Sequence, residues 1–233
     1  MIISGLQKLT TLDYPGHIAC TIFTLGCNLR CPFCHNSGLV IDKNIPAAKL
    51  PWEEFVQFLE SRKGLLDGVV ISGGEPLYWY DTPGYIEIIK GMGFKVKLDT
   101  NGSYPEGLKD AIHAGVDYIA MDIKNTKRKY PMTVGYKEGY DTFRFEKSIN
   151  IIKSSGVDYE FRTTLVKPLH TINDIKEIAD WIGCQRTKYA LQNYVDSGDI
   201  LNNQGFSSFS KEEIEEIKDS IKDKFKEVII RGV

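Results

Sequence analysis

Three of the five cysteines in the chain lie within eight residues of one another. Cys27, Cys31 and Cys34 have the spacing C-x-x-x-C-x-x-C, and a loop that folds back can bring their thiolates around one soft metal centre. Structural zinc and four-iron clusters each usually take four protein ligands. Three cysteines therefore favour an iron–sulfur cluster in which one iron lacks a protein ligand and can bind a substrate or cofactor.

Other chemistries fit parts of the same cluster and stay open at this point. Zinc could be held by the three cysteines together with His35, and Cys31 with Cys34 could form a redox dithiol. Residues 31–35 also match the C-x-x-C-H signature of haem attachment, which would require export. Inert buried thiols are a further alternative, and this is the expectation for Cys20 within a strand and Cys184 near a helix end.

Apolar runs of strand length alternate with segments of helical period along the chain. About six strand–helix units predict an α/β fold with a parallel sheet and crossover helices, in one domain over residues 1–233. Six units are too few for the eight-stranded closed barrel, which leaves an open, partial (β/α)6 barrel or a doubly wound sheet. The predicted strands are 17–24, 68–72, 95–99, 118–122, 157–166, 189–194 and a last one at 226–231; the predicted helices are 51–61, 83–90, 105–114, 143–154, 171–182 and 210–222.

Polar residues follow the predicted strands one after another. In both architectures ligands bind outside the carboxyl ends of the strands, so a single ligand could contact all of these residues. They are Ser72-Gly73-Gly74-Glu75-Pro76 after the second strand, Asp99-Thr100-Asn101-Gly102 after the third, Asp122-Ile123-Lys124 after the fourth, Arg162 within the fifth, and Gln192 with Asn193 in the sixth.

Composition and charge exclude several classes of protein. The chain is 42% hydrophobic and 26% charged, which argues against a disordered or fibrous protein. With 29 Lys and Arg against 31 Asp and Glu, the formal net charge is −2 and gives no reason to expect nucleic acid or a membrane surface as a partner. The N-terminus lacks the pattern of a signal peptide, so a cytoplasmic location is expected. Residues 130–140, rich in Gly and Tyr, are predicted to form a mobile loop near the site.

On these motifs the sequence resembles the radical S-adenosylmethionine (SAM) superfamily. The cysteine motif follows the first predicted strand, and Gly73-Gly74-Glu75-Pro76 matches the GGEP element after the second. The stretches 12–16, 34–36, 99–102 and 122–124 resemble the glycyl-radical-enzyme activating enzymes more narrowly. The compact branch known as anaerobic ribonucleoside-triphosphate reductase activating proteins is the most similar, and pyruvate formate-lyase activating enzyme is similar too.

This resemblance implies a partial, open (β/α)6 barrel of the radical SAM type and a specific chemistry. Cys27, Cys31 and Cys34 would hold three irons of a [4Fe–4S] cluster, and SAM would chelate the fourth. One electron from a donor such as flavodoxin or ferredoxin would cleave SAM, and the resulting 5′-deoxyadenosyl radical would take a hydrogen from a glycine of a glycyl-radical enzyme. The cluster and SAM carry this chemistry, and no separate catalytic side chain is expected.

The resemblance also implies residues that contact SAM. Gly73 and Gly74 would let the backbone approach its methionine end, because no Cβ intrudes. Glu75 would orient that loop. Simple-core activating enzymes carry a histidine late in the barrel that faces SAM; this chain has none there, and Gln192 or Asn193 is the predicted substitute.

Charged residues at the ends of neighbouring strands complete the set. Asp99 and Asp122, with the backbone of Thr100, would hold a monovalent cation, since oxygen ligands suit hard cations. Lys124 and Arg162 would pair with the carboxylate or ribose of SAM.

Two other classes of function are compatible with the sequence. One is a radical SAM enzyme that acts on a small molecule, and the other is a non-catalytic protein that binds zinc or an iron–sulfur cluster. The second leaves the GGEP element and residues 99–102 without a role. The sequence alone leaves open which glycyl-radical enzyme would be the partner.

Overall fold

A computed structural model describes residues 1–40, 50–136, 141–195, 200–202 and 205–232. Its central feature is a sheet of eight strands whose spatial order follows the chain. The first strand pairs antiparallel with the second, and every later pair is parallel. The strands are β1 (Ile3–Thr10), β2 (Ala19–Thr24), β3 (Gly68–Gly73), β4 (Lys95–Thr100), β5 (Tyr118–Asp122), β6 (Asp158–Leu165), β7 (Cys184–Asn193) and β8 (Phe225–Arg231).

Helices connect the parallel strands and confirm the predicted fold class. The strand order never reverses, as in a barrel winding and unlike a doubly wound sheet, and β1 and β8 lie at its two open edges. None of the helices in the described ranges is long and apolar enough to cross a membrane. The helices are α1 (Trp52–Glu60), α2 (Thr82–Gly91), α3 (Pro105–His113), α4 (Tyr130–Thr133), α5 (Phe143–Ser154), α6 (Ile172–Ile182) and α7 (Lys211–Asp219).

Helix termini follow local sequence signals. In α6 the hydroxyl of Thr171 accepts a hydrogen bond from the Asp174 amide while the Asp174 carboxylate accepts one from the Thr171 amide. Ser210 and Glu213 form the same reciprocal pair at the start of α7, where the helix predicted over 210–222 begins. Such capping boxes satisfy amides that have no partner within the helix, and they fix where the helix begins.

Two elements were not predicted. β1 pairs with β2 and is the antiparallel edge strand of an otherwise parallel sheet. The prediction of a mobile loop over 130–140 is wrong for its first part, since α4 lies there, and residues 137–140 lie outside the described residues. Tyr130 is fully buried with its ring centroid 4.3 Å from that of Phe145, a contact that local sequence does not reveal.

The sheet presents two chemically different faces. On β4, Val96 and Leu98 are fully buried in the main apolar cluster, together with residues of the helices. Lys97 and Asp99 alternate with them and therefore project from the opposite face, where they pair with each other. Charged groups thus gather on the face away from the helices.

Candidate functional site

A cavity of about 270 Å³ lies at the carboxyl ends of the parallel strands. It brings together the three clustered cysteines and seven of the eight predicted SAM-contacting residues; Glu75 is not among its lining residues. The predicted residues in its wall are Cys27, Cys31, Cys34, Gly73, Gly74, Asp99, Asp122, Lys124, Arg162 and Gln192.

One side of the cavity, called here the sulfur wall, consists of Cys27, Cys31 and Cys34. Within the described parts of the chain, no three His, Cys, Asp or Glu side chains are arranged to hold a single metal ion. The three thiols line one shared cavity, and three cysteines leave one iron of a four-iron cluster without a protein ligand. The ring of His35 lies 5.3 Å from that of Tyr194, at the edge of the same cavity.

Burial governs the protonation of the sulfur wall. It raises the pKa of Cys27 to about 11 and that of Cys31 to about 12, and it raises the pKa of Cys34 as well. The nearby ammonium of Lys124 opposes these shifts without cancelling them. The metal-free thiols are therefore protonated at neutral pH, and a bound metal centre has to displace their protons.

Neutral hydrogen bonds hold the cysteine loop against the end of β4. The Cys27 sulfur accepts from the Leu29 amide at 3.4 Å and from Asn101 Nδ2 at 3.7 Å. Asn101 Nδ2 also donates to Asn28 Oδ1 at 3.1 Å. Asn101 Oδ1 accepts from the Ser103 amide at 2.9 Å, which fixes the orientation of the Asn101 amide group. The role of Asn28 and Ser103 was missed from the sequence.

The segment after α4 holds the same loop from another direction. The amide of Arg30 donates to the Val134 carbonyl at 2.9 Å, and the hydroxyl of Tyr136 donates to the carbonyl of Asn28. Gly135 has φ +79°, and a Cβ there would collide with the Arg30 carbonyl. Only glycine fits this close approach of two backbones.

The two glycines at the end of β3, Gly73 and Gly74, are required by the protein's own backbone. A Cβ on Gly73, which has φ +117°, would collide with Thr24, and a Cβ on Gly74 would collide with the carbonyl of Gly26. The backbone thus requires glycine at both positions independently of any ligand, and both glycines line the cavity, where the close approach of a ligand stays a prediction. Asn36 Nδ2 donates to the Gly73 carbonyl at 3.2 Å and links this loop to the end of the cysteine motif.

Glu75 lies behind the cavity wall and is completely buried. Its carboxylate accepts from the Leu77 amide at 3.1 Å, the Thr100 hydroxyl at 2.8 Å and the Asn101 amide at 2.6 Å. Burial raises the pKa of Glu75 to about 7, although these three donors favour the ionised form. The residue ties the loop after β3 to the loop after β4.

A second part of the cavity lining, called here the ionic wall, consists of Asp99, Asp122, Lys124 and Arg162. Arg162 bridges the carboxylates, with Nε 2.8 Å from Asp122 Oδ1 and Nη1 3.3 Å from Asp99 Oδ2. Lys124 Nζ lies 2.9 Å from Asp122 Oδ2. Burial alone would raise the pKa of Asp122, but Arg162 and Lys124 outweigh it and lower that pKa far below its usual range.

Lys97 supports the ionic wall from beneath and was missed from the sequence. Its ammonium group pairs with Asp99 Oδ1, while the Ser72 hydroxyl donates to Asp99 Oδ2 at 2.9 Å. Burial would raise the pKa of Asp99, but Arg162 and Lys97 reverse the shift and lower it. The sequence could have revealed this role, because side chains alternate between the two faces of a strand and Lys97 and Asp99 therefore lie on the same face.

Of the two residues at the carboxyl end of β7, Gln192 lies in the cavity wall and Asn193 does not. Gln192 lines the cavity, whereas Asn193 binds the backbone of Phe209 through its carboxamide, at 2.9 and 3.0 Å. His170 accepts from the Val166 amide at Nδ1 and places Nε2 2.9 Å from the Lys124 carbonyl.

Comparison with known proteins agrees with this geometry. The sequence profile described as the radical SAM superfamily matches residues 21–182. A protein of Methanocaldococcus jannaschii, provisionally described as a glycyl-radical enzyme activating enzyme, is 34% identical over 83% of this chain and 80% of its own length. The pyruvate formate-lyase-activating enzyme of Clostridium pasteurianum is 30% identical over 75% of this chain and 71% of its own length.

Solved structures share the fold at low sequence identity. Streptococcus suis SuiB bound to S-adenosylmethionine has a TM-score of 0.66 at 16% identity, covering 90% of this chain. The chain spans 49% of SuiB, about half its length. A domain of the pyruvate-formate lyase-activating enzyme from Bacteroides vulgatus has a TM-score of 0.57 at 16% identity and covers 71% of this chain and 99% of that domain.

Proposed function

Since the chain belongs to the radical SAM superfamily and is a radical SAM enzyme, we propose that it generates the glycyl radical of a partner glycyl-radical enzyme. The partner we propose is an anaerobic ribonucleotide reductase, because the motifs resemble the compact branch that activates it. The family implies a [4Fe–4S] cluster and SAM as cofactors. The observation that carries the proposal is that the sulfur wall and the ionic wall border one cavity at the carboxyl ends of the strands.

The donor set of the cavity fits these cofactors. Cys27, Cys31 and Cys34 supply three thiols and would hold three irons, which leaves a fourth iron open to SAM. When bound, the cluster and SAM supply the one-electron cleavage of a sulfonium bond and a carbon radical able to take hydrogen from glycine. The chain itself holds the thiols in place through Asn101 and the backbone of Leu29.

The ionic wall would bind and orient the methionine end of SAM. Asp122 pairs with both Lys124 and Arg162, so the two cations are fixed before a ligand arrives. A preorganised Arg162 guanidinium can bind a carboxylate without loss of its own side-chain freedom. Gln192 and the carbonyl of Gly73 would offer further polar contacts from the lining of the same cavity.

A macromolecular substrate is supported by the surface around this end of the sheet. Contiguous exposed apolar surface is typical of interaction sites. Six of the eleven such side chains identified in the described residues follow the carboxyl end of β3, β5 or β7. They are Tyr78, Tyr80, Met132, Tyr136, Phe143 and Val195.

The proposal is tested by reconstituting the protein anaerobically with iron and sulfide and supplying SAM with either dithionite or reduced flavodoxin. Two products are measured, namely 5′-deoxyadenosine and the glycyl radical by electron paramagnetic resonance on an added anaerobic ribonucleotide reductase. The matched controls are Cys34→Ala in this chain and a partner whose radical glycine is replaced by alanine. We expect both products with the native pair and neither with Cys34→Ala.

Other outcomes would redirect the assignment. A glycyl radical on a different glycyl-radical enzyme would retain the activating role and replace the partner. SAM cleavage stimulated by a metabolite, with no protein radical, would support the small-molecule class. Tightly bound zinc with no SAM cleavage after iron reconstitution would overturn the catalytic proposal.

A further inference from the structure

Every carboxylate oxygen of Asp99 and Asp122 in the ionic wall already accepts a hydrogen bond from the protein. Asp122 uses both of its oxygens, one for Arg162 and one for Lys124. Asp99 uses one oxygen for Lys97 and the other for Arg162 and the Ser72 hydroxyl. A free metal cation at this point would have to share oxygens that already accept hydrogen bonds from the protein, and it would lie among three cationic side chains.

The charge balance also disfavours a free cation. Asp99 and Asp122 contribute two negative charges, and both are held ionised because their neighbours lower the pKa of each. Lys97, Lys124 and Arg162 contribute three positive charges, so the group carries a net charge of +1 from these five residues. The adjoining pair of Glu160 with Arg231 adds one charge of each sign and leaves this balance unchanged.

Lys97 is the one of these five residues that does not line the cavity. It is only 1% exposed, and its ammonium group has Asp99 as its ion-pair partner and the ring of Tyr118 6.0 Å away. Burying a lysine is costly unless its charge is paired. We infer that Lys97 is a tethered cation, which occupies the place beside Asp99 that the sequence assigned to a free monovalent cation.

This role makes Lys97 a positioning residue. Because the ammonium group of Lys97 balances the charge of Asp99, Arg162 keeps its position between Asp99 and Asp122. The positive charge of Arg162 is then available to an anionic group in the cavity. A free Na⁺ or K⁺ would supply the same charge only at sufficient concentration, whereas the lysine supplies it in every molecule. SAM binding should then be independent of small monovalent cations.

The experiment compares the native chain with Lys97→Met in potassium, sodium and choline chloride at equal ionic strength. Choline is too large to enter a buried carboxylate site. The readouts are the dissociation constant of SAM on the reconstituted protein and the thermal midpoint of the metal-free protein. Lys95→Met is the matched control, since Lys95 lies two residues earlier on the same face of β4 and is exposed.

We expect the native chain and Lys95→Met to bind SAM equally well in all three salts. Lys97→Met should bind about tenfold more weakly in choline and recover in potassium or sodium. The inference is overturned if the native chain needs potassium or sodium, or if Lys97→Met binds normally in choline. It is also overturned if no small cation restores the variant.

If Lys97→Met does not fold, the salt comparison on the native chain decides alone. The inference rests on SAM binding, which the family implies, and not on the partner proposed above. Both readouts are made without a partner protein, so a failure of the proposed activating function would leave them unaffected.

Discussion

The two walls of the cavity are built in opposite ways. The sulfur wall lies on a loop and is held by neutral hydrogen bonds, such as that from Asn101 to Cys27. Its thiols are protonated at neutral pH because burial raises their pKa values. The ionic wall is built from residues near the carboxyl ends of β4 and β5 and from Arg162 within β6, and its charges are already paired with one another.

This contrast separates the energy of folding from the energy of cofactor binding. The ion pairs of the ionic wall exist in the metal-free protein, so their loss should destabilise the fold directly. The thiols gain their ligating form only when metal binds, and the free energy of that step belongs to the loaded protein. Substitutions in the two walls should therefore have different signatures.

The largest effect is expected from Cys31→Ala. Removing one of three ligands should abolish cluster retention and lower the rate of 5′-deoxyadenosine formation by at least about 100-fold, which is more than the loss of a residue that only hydrogen-bonds to a ligand costs. The stability of the metal-free protein should fall little by comparison. Iron content, product formation and urea unfolding are the three measurements.

The control for this variant is Cys20→Ala, which removes a buried sulfur that does not line the cavity. It should retain iron and SAM cleavage. A loss of iron in Cys20→Ala equal to that in Cys31→Ala would show that general core damage, and not ligand loss, explains the result.

The next largest effect is expected from Asp122→Asn, which should lower the free energy of unfolding. The change leaves Lys124 and Arg162 partly buried without a charge partner at Asp122, at 18% and 14% side-chain exposure. Breaking such a buried pair costs about 3 kcal/mol. Urea unfolding of the metal-free protein at neutral pH measures it.

Glu106→Gln is the matched control, because Glu106 pairs with Lys109 and Lys147 at the surface. Exposed pairs contribute little, so this variant should unfold as the native chain does. If both variants lose the same free energy of unfolding, the ionic wall is no more tightly coupled than the surface.

Acid should remove the advantage of the native chain over Asp122→Asn. The folded-state pKa values of Asp99 and Asp122 are lowered from an ordinary 3.8. Such groups stabilise the fold fully above the unfolded pKa, and the stabilisation is lost as the pH falls through the folded value. The free energy of unfolding of the native chain should drop more steeply below about pH 4 than that of the variant. Parallel pH profiles would contradict the lowered pKa of Asp122.

Local patterns were sufficient to predict most of the fold. The alternation of strand and helix signals predicts the parallel sheet, and Ser210 with Glu213 predicts the start of α7. The rule that ligands bind at carboxyl strand ends placed Asp122 and Arg162 in one cavity. These features depend on residues close in sequence or on the general geometry of parallel sheets.

The parts that the sequence did not reveal depend on contacts between distant residues. To predict the contact between Lys97 and Asp99, one would have to know which face of β4 points toward the cavity. Asn28 contacts Ser103 from 75 positions away and Tyr136 from 108 positions away. Such contacts leave no periodic pattern, so the support of the sulfur wall is visible only in three dimensions.

The smallest effect is expected from Asn101→Ala, which removes the side-chain hydrogen bond to the Cys27 sulfur. Hydrogen bonds to cluster sulfurs stabilise the more negative, reduced state, so the variant should have a lower reduction potential with its iron content retained. A tenfold fall in the ratio of reduced to oxidised cluster corresponds to about 59 mV for one electron. Asn150→Ala on the exposed side of α5 is the control, and a redox titration of both variants is the measurement. If Asn101→Ala keeps the native potential but loses iron, the contact holds the loop in place without tuning the cluster, and the support of the sulfur wall is then mechanical.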